Sequence, residues 1–135
     1  MFFGKSKTKD DDFIKIASLL IHAAKIDENY TIKEENIIKK TLIEIGALKE
    51  NLENLLDKAK ENEANSVQIL DYTKEVKNMN ESNKIKIIEA LWRIIYSNNE
   101  ADIFETNLMR RLSGLLYIDS NLMGYIKEKI KRENK

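Results

Sequence analysis

The chain predicts an all-α fold of about seven helices, and three observations carry that prediction. Its 135 residues contain no proline and only four glycines, so helix breakers are scarce. Apolar residues recur at i, i+3, i+4 spacing in one segment after another. The polar stretches between these segments are short and rich in Asp, Asn, Ser and Thr. In two of them a Thr or Asp is followed three residues later by Glu, the signature of a capping box.

The first helix is expected from about residue 12 to 26, with Phe13, Ile16, Ala17, Leu20, Ala23 and Ala24 on its apolar face. Asp10, Asp11 and Asp12 read as its N-terminal cap, where carboxylates satisfy free N–H groups and the helix dipole. An acidic turn follows, and Thr31-x-x-Glu34 opens a second helix at about 32 to 45, with Gly46 placed to end it. The third helix, about 50 to 63, carries Leu52, Leu55, Leu56 and Ala59 on one stripe and Glu and Lys opposite. The fourth, about 67 to 77, has the least regular pattern. The fifth, about 82 to 97, is apolar over more than half its circumference, through Ile87, Ile88, Leu91, Trp92, Ile94 and Ile95. It is the expected central helix, and Trp92 is expected in the core. Asp102-x-x-Glu105 opens the sixth, about 103 to 114, and Asp119-Ser120 the seventh, about 120 to 131.

Length favours one domain, placed at 12–133 behind a flexible tail at 1–11. A chain of this size can bury a core without staples, and with no cysteine it has neither disulfides nor thiolate metal sites. Basic and acidic side chains balance at 23 each, which gives no electrostatic case for nucleic acid. No apolar run is long enough to span a membrane, and the start, Met1-Phe2-Phe3-Gly4-Lys5, lacks a signal-peptide core. A cytoplasmic protein is expected.

The acidic turns are copies of one another. Asp27 aligns with Asn98, Thr31 with Asp102, Glu34 with Glu105, and Ile37-Ile38 with Leu108-Met109. At the same offset the first helix aligns with the fifth. With one residue deleted, Leu42 pairs with Leu112, Ile45 with Leu115, Leu48 with Ile118 and Leu52 with Leu122. Two related three-helix halves joined by the fourth helix are therefore expected, in approximate two-fold arrangement.

Taken as chemistry, Asp27, Glu28, Asn29 and Glu34 offer oxygen ligands suited to a hard divalent cation. The same residues also serve as ordinary helix punctuation, and spacing alone leaves both readings open. There is no Gly-rich phosphate loop, no Gly-x-Ser-x-Gly and no His-Glu-x-x-His, and His22 is the single histidine, so no enzyme is expected.

The paired motifs resemble those of the TerB-like family, named for a tellurite-resistance protein. The first copy is carried by Ile26-Asp27-Glu28 and Thr31-x-x-Glu34-x-x-Ile37-Ile38, the second by Tyr96 to Ala101, Asp102-x-x-Glu105 and Leu108-Met109-Arg110-Arg111. Glu89-Ala90-Leu91-Trp92 is similar to the family's lead-in, and the likeness covers about residues 13 to 131. It implies a seven-helix TerB-like bundle and a non-enzymatic role in stress or metal resistance. It further implies a divalent cation (Ca2+, Mg2+ or Zn2+) at Asp27, Glu28, Glu34, Asn98, Asp102 and Glu105, and a protein partner, in some members membrane-bound. The chain departs from the pattern where Glu28 and Asn99 replace the motif glycine and Asn98 replaces an Asp. The loss of a carboxylate makes the first turn the stronger candidate. The alternative is a helical protein–protein interaction module with no metal site.

Overall fold

A computed structural model describes residues 2–26, 30–65, 70–98 and 103–133, with backbone alone for 2–10, 65, 70–71, 98 and 103–104. Its seven α-helices are α1 (Phe2–Ala24), α2 (Ile32–Glu44), α3 (Leu52–Asn65), α4 (Leu70–Lys77), α5 (Glu81–Ile95), α6 (Ile103–Leu115) and α7 (Ser120–Glu133). Short 3₁₀ turns, Lys49–Asn51 and Tyr96–Asn98, precede α3 and follow α5. The described residues contain no strand, so the chain is all-α as expected.

Two helices form the centre. In α5, Ile87, Ile88, Ala90, Leu91, Trp92, Ile94 and Ile95 are all buried. In α1 the run from Ile16 to Ile21, with Ala23 and Ala24, is equally buried. Each fully buried Ile or Leu contributes roughly 1.5–3 kcal/mol, so these two helices hold much of the driving force for folding. The sequence singled out only α5, because the small residues of α1 weaken its apolar signal. Ser18 is the polar member of the α1 run. Its hydroxyl donates to the Ile14 carbonyl at 2.7 Å, lies 3.3 Å from the Ala59 carbonyl and accepts from Asn62 Nδ2 at 3.2 Å. The buried oxygen is thereby satisfied by α3.

α1 packs on α2, α3, α4 and α5, whereas α5 packs on α1, α2, α4 and α7. The pairs α1–α3 and α5–α7 are repeat mates. α4 has no mate and fills the space between α1, α5 and α6. Ion pairs reinforce both mated contacts. Lys25 Nζ meets Glu63 Oε1 at 2.8 Å across α1 and α3. Across α5 and α7, Arg93 holds Glu133 through two bonds of 3.1 Å, and Lys129 Nζ meets Glu89 Oε2 at 2.7 Å. Lys84 is buried, and its ammonium donates to the Leu116 carbonyl at 3.1 Å, capping the end of α6.

The structure corrects the expected one-residue deletion in the second half. α2 ends with Gly46 at φ 117°, where Ala47 N donates to Leu42 O at 2.8 Å and Gly46 N to Ile43 O at 3.0 Å. α6 ends the same way, with Tyr117 at φ 56°, Ile118 N on Ser113 O at 3.0 Å and Tyr117 N on Gly114 O at 3.3 Å. Both are Schellman caps. Matching them pairs Gly46 with Tyr117, the same offset that pairs Asp27 with Asn98. Burial then agrees across the rest of the repeat: Ile45 with Leu116, Leu52 with Met123, Leu55 with Ile126 and Ala59 with Ile130 are all buried. The deletion arose from aligning leucines with leucines, whereas position in the cap decides which residues face inward.

The start of α1 is a second correction. The helix begins at Phe2 rather than at about 12, so Asp10, Asp11 and Asp12 lie within it and are not a cap. Asp12 instead faces Glu75 of α4, which Lys15 Nζ reaches at 3.2 Å. Burial, then the hydrogen bond and charge of Glu75, push the Asp12 carboxyl up to about 6, from an ordinary 3.8. The hydrogen bond from Asp12, aided by Lys15, holds Glu75 below its usual range. No helix among the described residues is long and apolar enough to cross a membrane.

These features predict two stability effects. A tyrosine in the left-handed region costs about 1–2 kcal/mol, which its exposed contact with Lys77 Nζ, 4.5 Å from the ring centroid, offsets only in part. Tyr117→Gly is therefore neutral or stabilising by up to about 1 kcal/mol, while Gly46→Ala destabilises by about 1 kcal/mol or more. Urea denaturation measures both, and equal losses would show that the cap conformation does not govern either site. The second effect depends on pH. Between 3.8 and about 6 the folded chain holds a proton on Asp12 that the unfolded chain releases, so the Asp12 contribution to stability declines as pH rises through that window. Asp12→Asn, which keeps a donor toward Glu75, removes the decline. Relative to the parent it gains stability between pH 4.5 and 7 in urea midpoints, and an unchanged difference would contradict the assignment.

Candidate functional site

The acidic turns follow the C-termini of the two central helices. α1 closes with Lys25 N on Ile21 O at 2.9 Å and Ile26 N on Ala23 O at 3.4 Å. Asp27, Glu28 and Asn29 lie outside the described residues. The chain is described again at Tyr30, and Thr31 caps α2 in extended conformation. The capping box read from the sequence is complete. Glu34 N donates to Thr31 Oγ1 at 3.1 Å, while Glu34 Oε1 accepts from Thr31 N at 2.8 Å and from Thr31 Oγ1 at 3.1 Å. Glu34 is only 1% exposed. One oxygen of this carboxylate is therefore engaged in holding the helix start, which fits a positioning role better than a ligand free to turn toward a cation.

α5 gives way to the 3₁₀ turn Tyr96–Asn98, and Ser97 Oγ donates to Ile94 O at 2.7 Å. The Asn98 side chain and Asp102 lie outside the described residues. Glu105, the mate of Glu34, is buried at 4% exposure in the first turn of α6. Lys33 Nζ donates to Ser97 O at 3.4 Å, which brings the start of α2 against the lead-in to the second turn. The start of α2 and the 3₁₀ turn after α5 therefore lie at one end of the bundle.

A group that the sequence reading passed over stands beside the first turn. Glu35 accepts from Tyr30 Oη at 3.2 Å, pairs with Lys60 Nζ of α3 at 2.9 Å, and lies 3.7 Å from Lys39 Nζ. Lys39 in turn meets Glu53 Oε1 at 3.0 Å. The hydrogen bond from Lys60 holds the Glu35 carboxyl below its usual range, so it stays charged. Burial, followed by the charge of Glu35, pushes the Tyr30 phenol up. Lys60 Nζ also sits 5.6 Å from the Tyr30 ring centroid. The i, i+4 spacing of Glu35 and Lys39 was visible in the sequence. The decisive partner, Lys60, comes from another helix and left no local signal.

His22 is not brought to the turn. Its Nδ1 lies 3.4 Å from Glu63 Oε2, on the α1–α3 side. Among the described residues no group of three or more His, Cys, Asp or Glu side chains is arranged to hold a metal ion.

Comparison with known proteins gives one match. The family model described as tellurite resistance protein TerB matches residues 13–127. No curated protein and no solved structure matches the chain. The matched stretch runs from Phe13 in α1 well into α7 and contains both acidic turns, and the chain belongs to the TerB family.

Proposed function

We propose that this TerB-family chain is a non-enzymatic binding domain, and that the turn at 27–34 takes a divalent cation. The observation that supports this most is the completed capping box. It holds Thr31 and Glu34 at the start of α2 through bonds between those two residues. Those two carboxylates and Asn29 are oxygen donors of the kind that Ca2+ and Mg2+ prefer. Zn2+ is the poorer fit, since the chain has no cysteine and its one histidine stands with Glu63. Glu34 supports the site by position. In the second turn Asn98 would offer a neutral oxygen in place of a carboxylate, so its affinity is the lower of the two. A bound cation would neutralise the acidic end of the bundle and tie the end of α1 to α2. The resistance role in the family's description would then work through that end, toward a protein partner.

A second reading is favoured by the burial of Glu34 and Glu105 and by the lack of a ligand cluster among the described residues. Here both turns are structural, and the domain is a protein–protein interaction module without metal.

A calcium titration followed by amide NMR separates them. Binding at the first turn gives saturable shifts in residues 25–35, and Asp27→Asn weakens it about tenfold by removing one carboxylate ligand. Thr31→Ala costs about 1 kcal/mol of stability in either reading, which makes it the control for the cap. Absence of saturable shifts at millimolar Ca2+ and Mg2+ overturns the cation and leaves the interaction module.

A further inference from the structure

A pocket of about 230 Å³ lies among α5, α6 and α7, formed by other residues than the acidic turns. Trp92, Met109 and Met123 give it an apolar wall. Trp92 is 3% exposed, and its indole Nε1 is the only buried side-chain nitrogen or oxygen without a hydrogen-bond partner among the described residues. Tyr96 stacks on the indole at 5.9 Å between centroids, and Lys127 Nζ sits 5.5 Å from the ring centroid, which fixes the ring and places a positive charge over it.

The remaining lining has the same bias. Arg110 contributes to the pocket and makes no ion pair or hydrogen bond with any described residue. Thr106 and Ser120 add hydroxyls. No Asp or Glu lines it, in a chain with 23 of them. The pocket therefore combines an apolar wall with donors and positive charge, and it lacks acceptors of its own charge class. Its volume is below the range of about 300–1,000 Å³ usual for drug-sized ligands, and it suits a body of single side-chain size.

We propose that this pocket binds a small free apolar carboxylate, an aromatic or branched hydrocarbon group carrying one acid function. The hydrocarbon packs against Trp92, Met109 and Met123, and the carboxylate pairs with Arg110. A charge-assisted hydrogen bond of this kind is about twice as strong as a neutral one, which selects an acid over the matching alcohol.

Trp92 is the single tryptophan, so its fluorescence reports on the pocket directly. The probe is 3-phenylpropanoate, with 3-phenylpropan-1-ol as its neutral counterpart. The acid gives a saturable change at millimolar concentration, and the alcohol binds about tenfold more weakly or less. Arg110→Gln weakens the acid by a similar factor of about ten and leaves the alcohol unchanged. Gly124 also lines the pocket, and a Cβ added there meets nothing within 4 Å. Gly124→Leu therefore fills the space without disturbing α7, and leucine favours a helix over glycine. It abolishes binding while the melting temperature holds or rises. A flat titration overturns the proposal, as do equal affinities for acid and alcohol or binding that survives Gly124→Leu.

Discussion

The burial of α1 and α5 against each other is the constraint on which the rest depends. Both are wrapped on nearly every side, and both end at an acidic turn. The start of α2 and the 3₁₀ turn after α5 meet at one end of the bundle, where Lys33 reaches the Ser97 carbonyl. α3 and α7 brace them from outside through Ser18, Glu63, Glu89 and Glu133. α4, the element outside the repeat, covers what the duplicated halves leave open.

The acidic residue three positions into each motif helix is buried. Glu34 is drawn into the protein at the third helical position, where the backbone N–H groups need acceptors. Glu105 is buried at the same place in α6. Burial there is stable only with hydrogen bonds, and Thr31 supplies two.

Most of the architecture was readable because periodicity and punctuation agreed. The apolar stripes gave the number and order of helices, Thr31-x-x-Glu34 gave a cap, and Gly46 gave a stop, each a local signal. What escaped was nonlocal or carried by the wrong residue type. Tyr117 takes the role of Gly46 despite its side chain, which hid the constant offset of the repeat. The polar run from Lys5 to Asp12 masked the early start of α1, where Asp12 is accommodated by Glu75 of a distant helix. Lys60 beside Glu35, and the unmet indole of Trp92, depend on which helices become neighbours.

The most direct test of the account is a crystal structure grown in excess Ca2+. The account predicts an ion beside residues 27–29, ligated by Asp27 and Glu28, with the hydrogen bonds between Thr31 and Glu34 intact. An ion that draws Glu34 out of its cap, or a turn without an ion whose Asp27 and Glu28 point away from each other, would contradict it.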